Sequence, residues 1–273
     1  MRTILITLTA LGLWPAAAHA QDSNTEDLAA PSSATAPERV TMPAKRVAIH
    51  AHLEINLSAD TAFEPTSLAP DAWYGVNDDL TVGLVHSATA RSGVVGGAGS
   101  SLCLTGSGGG CAEAYRGFGL EARYQLLRDK ISLAADGGLH INHFDPFQLA
   151  LKLGVVGRWR PSPQSKLAVD FSPSLFFGFT ERDSGNKEVL VLPGTVMYAV
   201  APKISLAAQT GLVLPFADAG DTFAIPLSLG ASYQLNHRIS LDVAFSLPAL
   251  IGGDQITNGF DARTLTLGGG YAL

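Results

Sequence analysis

The sequence predicts an all-β fold, a membrane-spanning antiparallel up-and-down β-barrel of about 12 strands, and three observations support it. Apolar and polar side chains alternate over most of residues 47–273. The alternating segments are joined by connections that differ regularly in length. An aromatic residue recurs near the end of every second segment. A strand repeats every two residues, so this alternation gives each segment one apolar and one polar face.

The N-terminal residues 1–20 have the composition of a cleaved signal peptide, with a basic residue, an apolar run and small residues before the cleavage site. A membrane anchor is the alternative, but the apolar run is short and Pro15 interrupts it. Residues 21–46 are rich in Ala, Ser, Thr and Pro and show no periodicity. They predict a disordered periplasmic segment in front of the barrel, which takes residues 47–273.

The composition separates this chain from ordinary soluble domains. Charged residues make up 15% of it, against about 25% in a typical soluble protein. The formal net charge of −6 argues against a nucleic-acid partner, which requires a basic surface. Beyond residue 20 no apolar run reaches the roughly 18 residues of a membrane helix. These features suit a barrel whose outer face contacts lipid, and no cofactor is predicted.

The alternation begins abruptly at Val47, where VAIHAHLEINL places an apolar residue at every second position. An even strand number is usual for bacterial single-chain barrels. The same pattern predicts strands at 47–57, 66–76, 80–88, 114–126, 131–142, 147–160, 166–180, 188–200, 204–216, 221–234, 239–250 and 260–273.

The connections fall into two sets. Tight turns follow the second, fourth, sixth, eighth and tenth strands, and most of the other connections are longer and richer in glycine or polar residues. Outer-membrane barrels place short turns in the periplasm and long loops outside, so both termini should lie in the periplasm. The longest connection, 89–113, is expected to be a variable outer loop; the alternatives are a loop that folds inward to narrow the mouth, or an adhesive surface. Cys103 and Cys111 within it predict a disulfide, because their spacing fits neither a redox motif nor a zinc site.

Each even-numbered strand carries an aromatic residue near its predicted periplasmic end, on the apolar face. Such rings prefer the level of the lipid headgroups, so these residues predict an aromatic girdle. They are Tyr74, Tyr124, Trp159, Tyr198, Tyr233 and Tyr271.

The C-terminal strand ends with Thr266, Gly268, Tyr271 and Leu273 in the order polar, glycine and two spaced hydrophobic residues. This arrangement resembles the signal that outer-membrane β-barrel proteins present to their insertion machinery, although Leu273 replaces the usual Phe. Over residues 47–273 the chain resembles Gram-negative outer-membrane β-barrel proteins in architecture, without indicating one family. The resemblance implies a Gram-negative outer-membrane location, with membrane lipids and the barrel insertion machinery as partners.

The polar face of the strands should line the lumen. Its charges either pair across the interior and fill it, or form the wall of a water-filled passage. We expect a passage, because many side chains of this face are small, and weak ion selectivity, because acids and bases nearly balance. The ionisable residues of this face are His50, His52, Glu54, Glu121, Arg123, Asp136, His140, Lys152, Arg158, Arg160, Asp170 and Asp242.

His50, His52 and Glu54 could hold a metal ion, with His140 as a further ligand, but alternate residues of a strand lie about 7 Å apart, which disfavours a shared ion. No G-x-S-x-G motif and no readable catalytic group is present, so no catalytic residue is predicted. The sequence therefore predicts a passive channel for small hydrophilic solutes. A barrel-embedded enzyme of the lipase or protease type and a structural or adhesive surface protein are the alternatives.

Overall fold

The structure is a computed structural model that describes residues 39–58, 61–99, 101–106, 110–111, 113–257 and 259–273. The predicted signal peptide and most of the predicted lead-in lie outside the described residues. Among the described residues, no helix has the length and apolar character needed to cross a membrane.

The described part of the chain forms strands joined by turns and three very short helices. The helices are α1 (Ala88–Ser92), α2 (Ala219–Thr222) and a 3-10 turn (Arg182–Ser184). The strands are β1 (Val47–Asn56), β2 (Thr66–Gly75), β3 (Leu80–Val85), β4 (Leu102–Cys103), β5 (Phe118–Arg128), β6 (Ile131–Phe144), β7 (Phe147–Trp159), β8 (Leu167–Phe171), β9 (Ser174–Gly178), β10 (Val189–Ala201), β11 (Ile204–Pro215), β12 (Ala224–Gln234), β13 (Ile239–Gly252) and β14 (Thr264–Ala272).

The strands form one closed antiparallel sheet. β1 pairs with β2 on one side and with β14 on the other, so the first and last strands complete the ring. β8 and β9 both pair with β7 and β10 and are two halves of one wall position. β3 and β4 pair with successive parts of β2, so they also share one wall position. The wall therefore has 12 positions, and the predicted barrel is confirmed.

Prolines account for two irregularities in the predicted strands. The predicted strand 166–180 is broken between β8 and β9, because Pro173 supplies no backbone donor to the ladder. β12 and β13 shift register between Ile225 and Leu227, where Pro226 lies. Proline is tolerated at such bulges because the ladder is already interrupted there.

The third wall position differs most from the prediction. β3 ends at Val85 instead of residue 88, and Ala72 of β2 pairs with Leu84. Farther along β2, Leu68 pairs with Leu102, in the place that residue 88 would take if β3 continued. The chain thus leaves the wall after Val85 and returns to the same wall position at β4.

The outer surface of the barrel is apolar. Leucine side chains in its middle, such as Leu120, Leu139 and Leu229, are at least half exposed. The six aromatic residues of the predicted girdle lie at the end that carries the short turns, and each is between 38% and 54% exposed. Apolar surface of this extent, ringed by Tyr and Trp, is typical of a surface that lipid covers.

The short-turn end of the lumen is occupied by residues 40–43, the end of the predicted lead-in. The backbone N–H of Met42 donates to Thr81 Oγ1 at 2.8 Å, and Thr41 Oγ1 donates to Gln125 Oε1 at 2.9 Å. The Met42 side chain packs against the buried ring of Trp73. The ordered part of the chain therefore begins before β1.

Candidate functional site

The inner face of β5 to β8 carries a network of ion pairs, called here the paired wall. Its members have at most 8% exposure and come from neighbouring strands. They are Glu121, Arg123, Asp136, Lys152, Arg158 and Asp170.

Lys152 lies at the centre of the paired wall. Its Nζ is 2.9 Å from Glu121 Oε1 and 2.8 Å from Asp136 Oδ2. Arg123 Nε lies 3.2 Å from the other Asp136 oxygen, and His140 Nε2 lies 3.2 Å from Glu121 Oε1. Each charge thus has a partner on the wall itself, as a buried charge requires.

Two further contacts complete the paired wall. Arg158 makes a bidentate pair with Asp170, with both N–O distances at 2.7 Å. The guanidinium of Arg123 lies 4.0 Å from the centre of the Trp73 ring, a cation–π contact. These pairs follow from strand register, because Arg158 is directly opposite Asp170 and Arg123 is directly opposite Asp136.

Residues 86–99, called here the plug, fill the lumen between the walls. All of residues 86–98 are buried. The expectation that 89–113 is an outer loop is therefore wrong for its first part, which passes through the lumen. The sequence does not distinguish an outer loop from a path through the lumen, because this glycine-rich segment has no periodicity. Only its tertiary contacts decide between the two.

Two carboxylates of the wall bind the first residues of the plug. Asp71 accepts hydrogen bonds from the backbone N–H of His86 at 2.6 Å and of Ser87 at 2.9 Å. Ser87 Oγ also donates to Asp71 at 2.5 Å. Glu54 Oε1 accepts from the backbone N–H of Ala88 at 2.8 Å. These amides precede or begin α1, where backbone donors have no helical partner.

Farther along the plug, the charged side chain of Arg91 and the backbone groups of Gly93 and Val95 contact the wall. Arg91 Nε donates to His140 Nδ1 at 3.3 Å, and its Nη2 donates to Asn142. Val95 N–H donates to Gln209 Oε1 at 2.5 Å, and Gln209 Nε2 donates to the carbonyl of Gly93 at 2.9 Å. Side chains of the wall therefore supply the partners that a strand neighbour would otherwise supply.

Close approach requires glycine in the plug. Gly96 has φ +118°, and a Cβ there would lie 2.6 Å from Ser246 Cβ. The hydroxyls of Ser246 and Thr264 face this glycine, are buried, and have no hydrogen-bond partner among the described residues. Two buried hydroxyls without partners destabilise the packed arrangement, because they lose the hydrogen bonds that water would provide.

An apolar cluster closes the lumen at the long-loop end. Val94 at the centre of the plug is fully buried. It packs with wall side chains contributed by five strands, β9 to β13. They are Phe176, Val191, Val213, Ala224 and Ala249.

A second group of ionisable side chains lies on β1, β2 and β13 and is called here the acidic wall. It consists of His52, Glu54, Asp71 and Asp242. His52 Nε2 is 3.6 Å from Asp71 Oδ2, and His52 Nδ1 is 4.0 Å from Asp242 Oδ2. His52 Nδ1 is buried without a hydrogen-bond partner among the described residues. A void of about 10 Å³ lies between His52 and Asp242 of this group and Thr89 and Val95 of the plug.

The structure brings the predicted lumen residues together in these two groups. His50 stacks on His52 with ring centres 6.1 Å apart, and Arg160 lies beyond the end of β7. Among the described residues, no group of three or more His, Cys, Asp or Glu side chains could hold a metal ion. The predicted disulfide between Cys103 and Cys111 is confirmed, and Cys103 is the last residue of β4.

Sequence reasoning missed Asp71 and gave the inward path of the plug only as an alternative to an outer loop. Asp71 shares the parity of Trp73 and lies opposite in parity to the exposed Tyr74, so the alternation of β2 contained the signal. The plug gives a weaker signal, a run of small residues after β3 in which Arg91 is the one charge.

Solved structures share this fold. The NanC porin has a TM-score of 0.55 and 12% identity, with 83% of this chain and 100% of that chain covered. The KdgM porin in complex with disordered oligogalacturonate has a TM-score of 0.53, 10% identity and coverages of 82% and 98%. An outer membrane channel from Pseudomonas putida F1 has a TM-score of 0.52, 14% identity and coverages of 85% and 97%.

The fold is that of the outer-membrane porins. No protein-family model matches the sequence, and no curated protein matches it. The similarity therefore establishes the architecture, and the chemistry of the lumen has to be derived from this chain's own residues.

Proposed function

We propose that the protein is a channel of the Gram-negative outer membrane for small hydrophilic solutes, and that the described arrangement is its closed state. The observation that carries this proposal is the polar inner face beneath the plug. Ser246 and Thr264 are buried there without partners, whereas a permanently filled core would carry apolar side chains at these positions. Water or solute would satisfy both hydroxyls once the plug leaves.

The attachment of the plug is compatible with such a movement. It leaves the wall after Val85 and returns at Leu102, three positions farther along the same wall strand. Its displacement does not break the pairing of β2 with β3 or with β4. The wall ion pairs also remain, because they are made between strands.

Deletion of residues 88–101 tests the proposal. It joins Ser87 directly to Leu102, which already occupies the position of residue 88 opposite Leu68. We expect the deletion variant, purified from outer membranes, to show a stable conductance in planar bilayers that is larger than the wild-type conductance. Liposome swelling with neutral sugars of graded size then measures the passage.

A substitution within the plug gives an independent opening. Val94→Asp places a carboxylate in the apolar cluster, which favours the state in which the plug is hydrated. The matched control Val94→Thr has nearly the same shape without the charge and should open the channel less than Val94→Asp, because a buried hydroxyl costs less than a buried carboxylate. If both the deletion and Val94→Asp fold as barrels and neither conducts, the proposed function is wrong.

The barrel-enzyme alternative has no catalytic group in the described lumen to support it. Ser87 Oγ donates to Asp71 Oδ2, and His52 Nε2 lies 3.6 Å from the same oxygen, so the hydroxyl is directed at the carboxylate and not at the imidazole. A serine whose hydroxyl donates to a carboxylate rather than to a histidine lacks the activating base of a hydrolase.

A further inference from the structure

We propose that the open channel prefers cations, and that Asp71 and Asp242 of the acidic wall are the residues that select them. This inference rests on the proposed function and names its solute class. It departs from the expectation of weak selectivity, which the nearly equal numbers of acids and bases in the sequence support.

The two walls differ in where their counter-charges come from. On the paired wall, Arg123, Lys152 and Arg158 each contact a carboxylate of the same wall. That wall is neutral whether or not the plug is present. Its cations are therefore unavailable to attract anions, and its carboxylates are unavailable to attract cations.

On the acidic wall, the plug supplies the partners. Asp71 accepts three hydrogen bonds from His86 and Ser87, and these neutral donors leave the charge of the carboxylate without a counter-charge from the plug. Among the described residues, His52 is the one basic group within ion-pair distance of Asp71 or Asp242. Two carboxylates that share one imidazole leave a negative wall, and a negative wall in a narrow pore concentrates cations.

His52 is an independent sign that this group is shaped for a ligand. Its side chain is 5% exposed and lies between the two carboxylates, and Nδ1 points toward Asp242 without a hydrogen bond. The adjacent void of about 10 Å³ is close to the smallest volume that holds one water. Plug removal enlarges it, because Thr89 and Val95 of the plug form one of its sides.

In the closed state, hydrogen-bond donors of the plug lie beside carboxylates of the acidic wall. Backbone N–H groups of residues 86–88 point at Asp71 and Glu54, where a cation would bind. Arg91 is a charged residue of the same segment. The plug therefore has hydrogen-bond donors and a positive charge, which are the properties that we assign to the solute.

The test is the reversal potential of the residue 88–101 deletion variant in a potassium chloride gradient. We expect a potassium-to-chloride permeability ratio of about threefold or more, as negative pore walls produce. Asp71→Asn combined with Asp242→Asn should bring the ratio close to one. The matched control Asp183→Asn changes an exposed carboxylate of the 3-10 turn and should leave the ratio unchanged.

The outcomes separate this inference from the proposed function. A conducting variant that shows no cation preference, or keeps it after both substitutions, overturns the inference and leaves the channel intact. Absence of conductance from folded barrels overturns both. If the deletion variant does not fold, the same measurements on Val94→Asp and on wild-type openings at high voltage decide the question.

Discussion

The paired wall and the acidic wall face the same lumen but neutralise their charges in different ways. Lys152 of β7 contacts Asp136 on the adjacent strand β6 and Glu121 on β5, one strand farther, so its partners are fixed by the strand register. Asp71 contacts the backbone of a segment that is covalently continuous with the wall only at its ends and contacts it elsewhere through side chains. The comparison teaches that the paired wall would stabilise the barrel in both of the states that we propose, whereas the acidic wall would stabilise only the closed one.

This difference assigns distinct roles to residues of the same chemical type. Carboxylates of the paired wall are structural, because their removal leaves a buried cation without a partner. Carboxylates of the acidic wall hold the plug or, in the open state that we propose, attract solute. Three substitutions sharpen this distinction, in addition to the deletion and selectivity experiments described above.

Lys152→Met should have the largest effect on stability. It leaves Glu121 and Asp136 buried with one fewer cation between them, and breaking a buried pair in this way costs about 3–5 kcal/mol. Urea unfolding of the reconstituted barrel, followed by tryptophan fluorescence, measures the loss. Lys203→Met, at an exposed turn, is the matched control and should unfold like wild type. Equal stability of the two variants would mean that the paired wall is hydrated and not structural.

Gln209→Ala should have an intermediate effect, confined to the plug. The wild-type amide pairs with both Val95 and Gly93, and loss of a buried partner costs about 1–3 kcal/mol. The fraction of time spent open should rise by about tenfold, measured in single-channel records. Gln234→Ala, at a short turn, is the matched control. An unchanged open fraction, together with unchanged stability, would show that the plug does not depend on this contact.

Asp78→Asn should have the smallest effect. Arg39 donates a hydrogen bond of 2.9 Å to Asp78, and this contact, followed by the backbone N–H of Ala44, holds the pKa of the Asp78 carboxyl below its usual value. A lowered folded pKa gives a contribution that is complete above about pH 4 and is lost as the pH falls through the folded value.

Hydrogen exchange of the peptide containing residues 39–46 measures that contact. Protection from exchange, corrected for the intrinsic rate at each pH, should fall in Asp78→Asn at neutral pH and in wild type as the pH falls through the folded pKa of Asp78. Because the ion pair is exposed, the unfolding of the barrel should not change detectably. Asp129→Asn, at a neighbouring short turn, should exchange like wild type at neutral pH. Slow exchange in Asp78→Asn would show that Thr41 and Met42 alone hold this segment.

The sequence predicted most of the strands of the barrel wall and few of the contacts inside the lumen. Alternation identified the lumen side of Lys152 and the lipid side of Tyr198, because each side chain of a strand has one of two directions. It could not predict that Asp136 pairs with Lys152, because that contact depends on strand register. It also could not predict the path of residues 86–99, where small residues give no repeat.

The sequence by itself determined the barrel, its apolar outer face and the position of six aromatic residues on that face, because a two-residue repeat acts locally at every position. Only the tertiary structure decided which charges are neutralised and what fills the lumen. Closure of the ring brings β1, β2 and β13 around one segment, and contacts between residues so distant in the chain leave no local pattern.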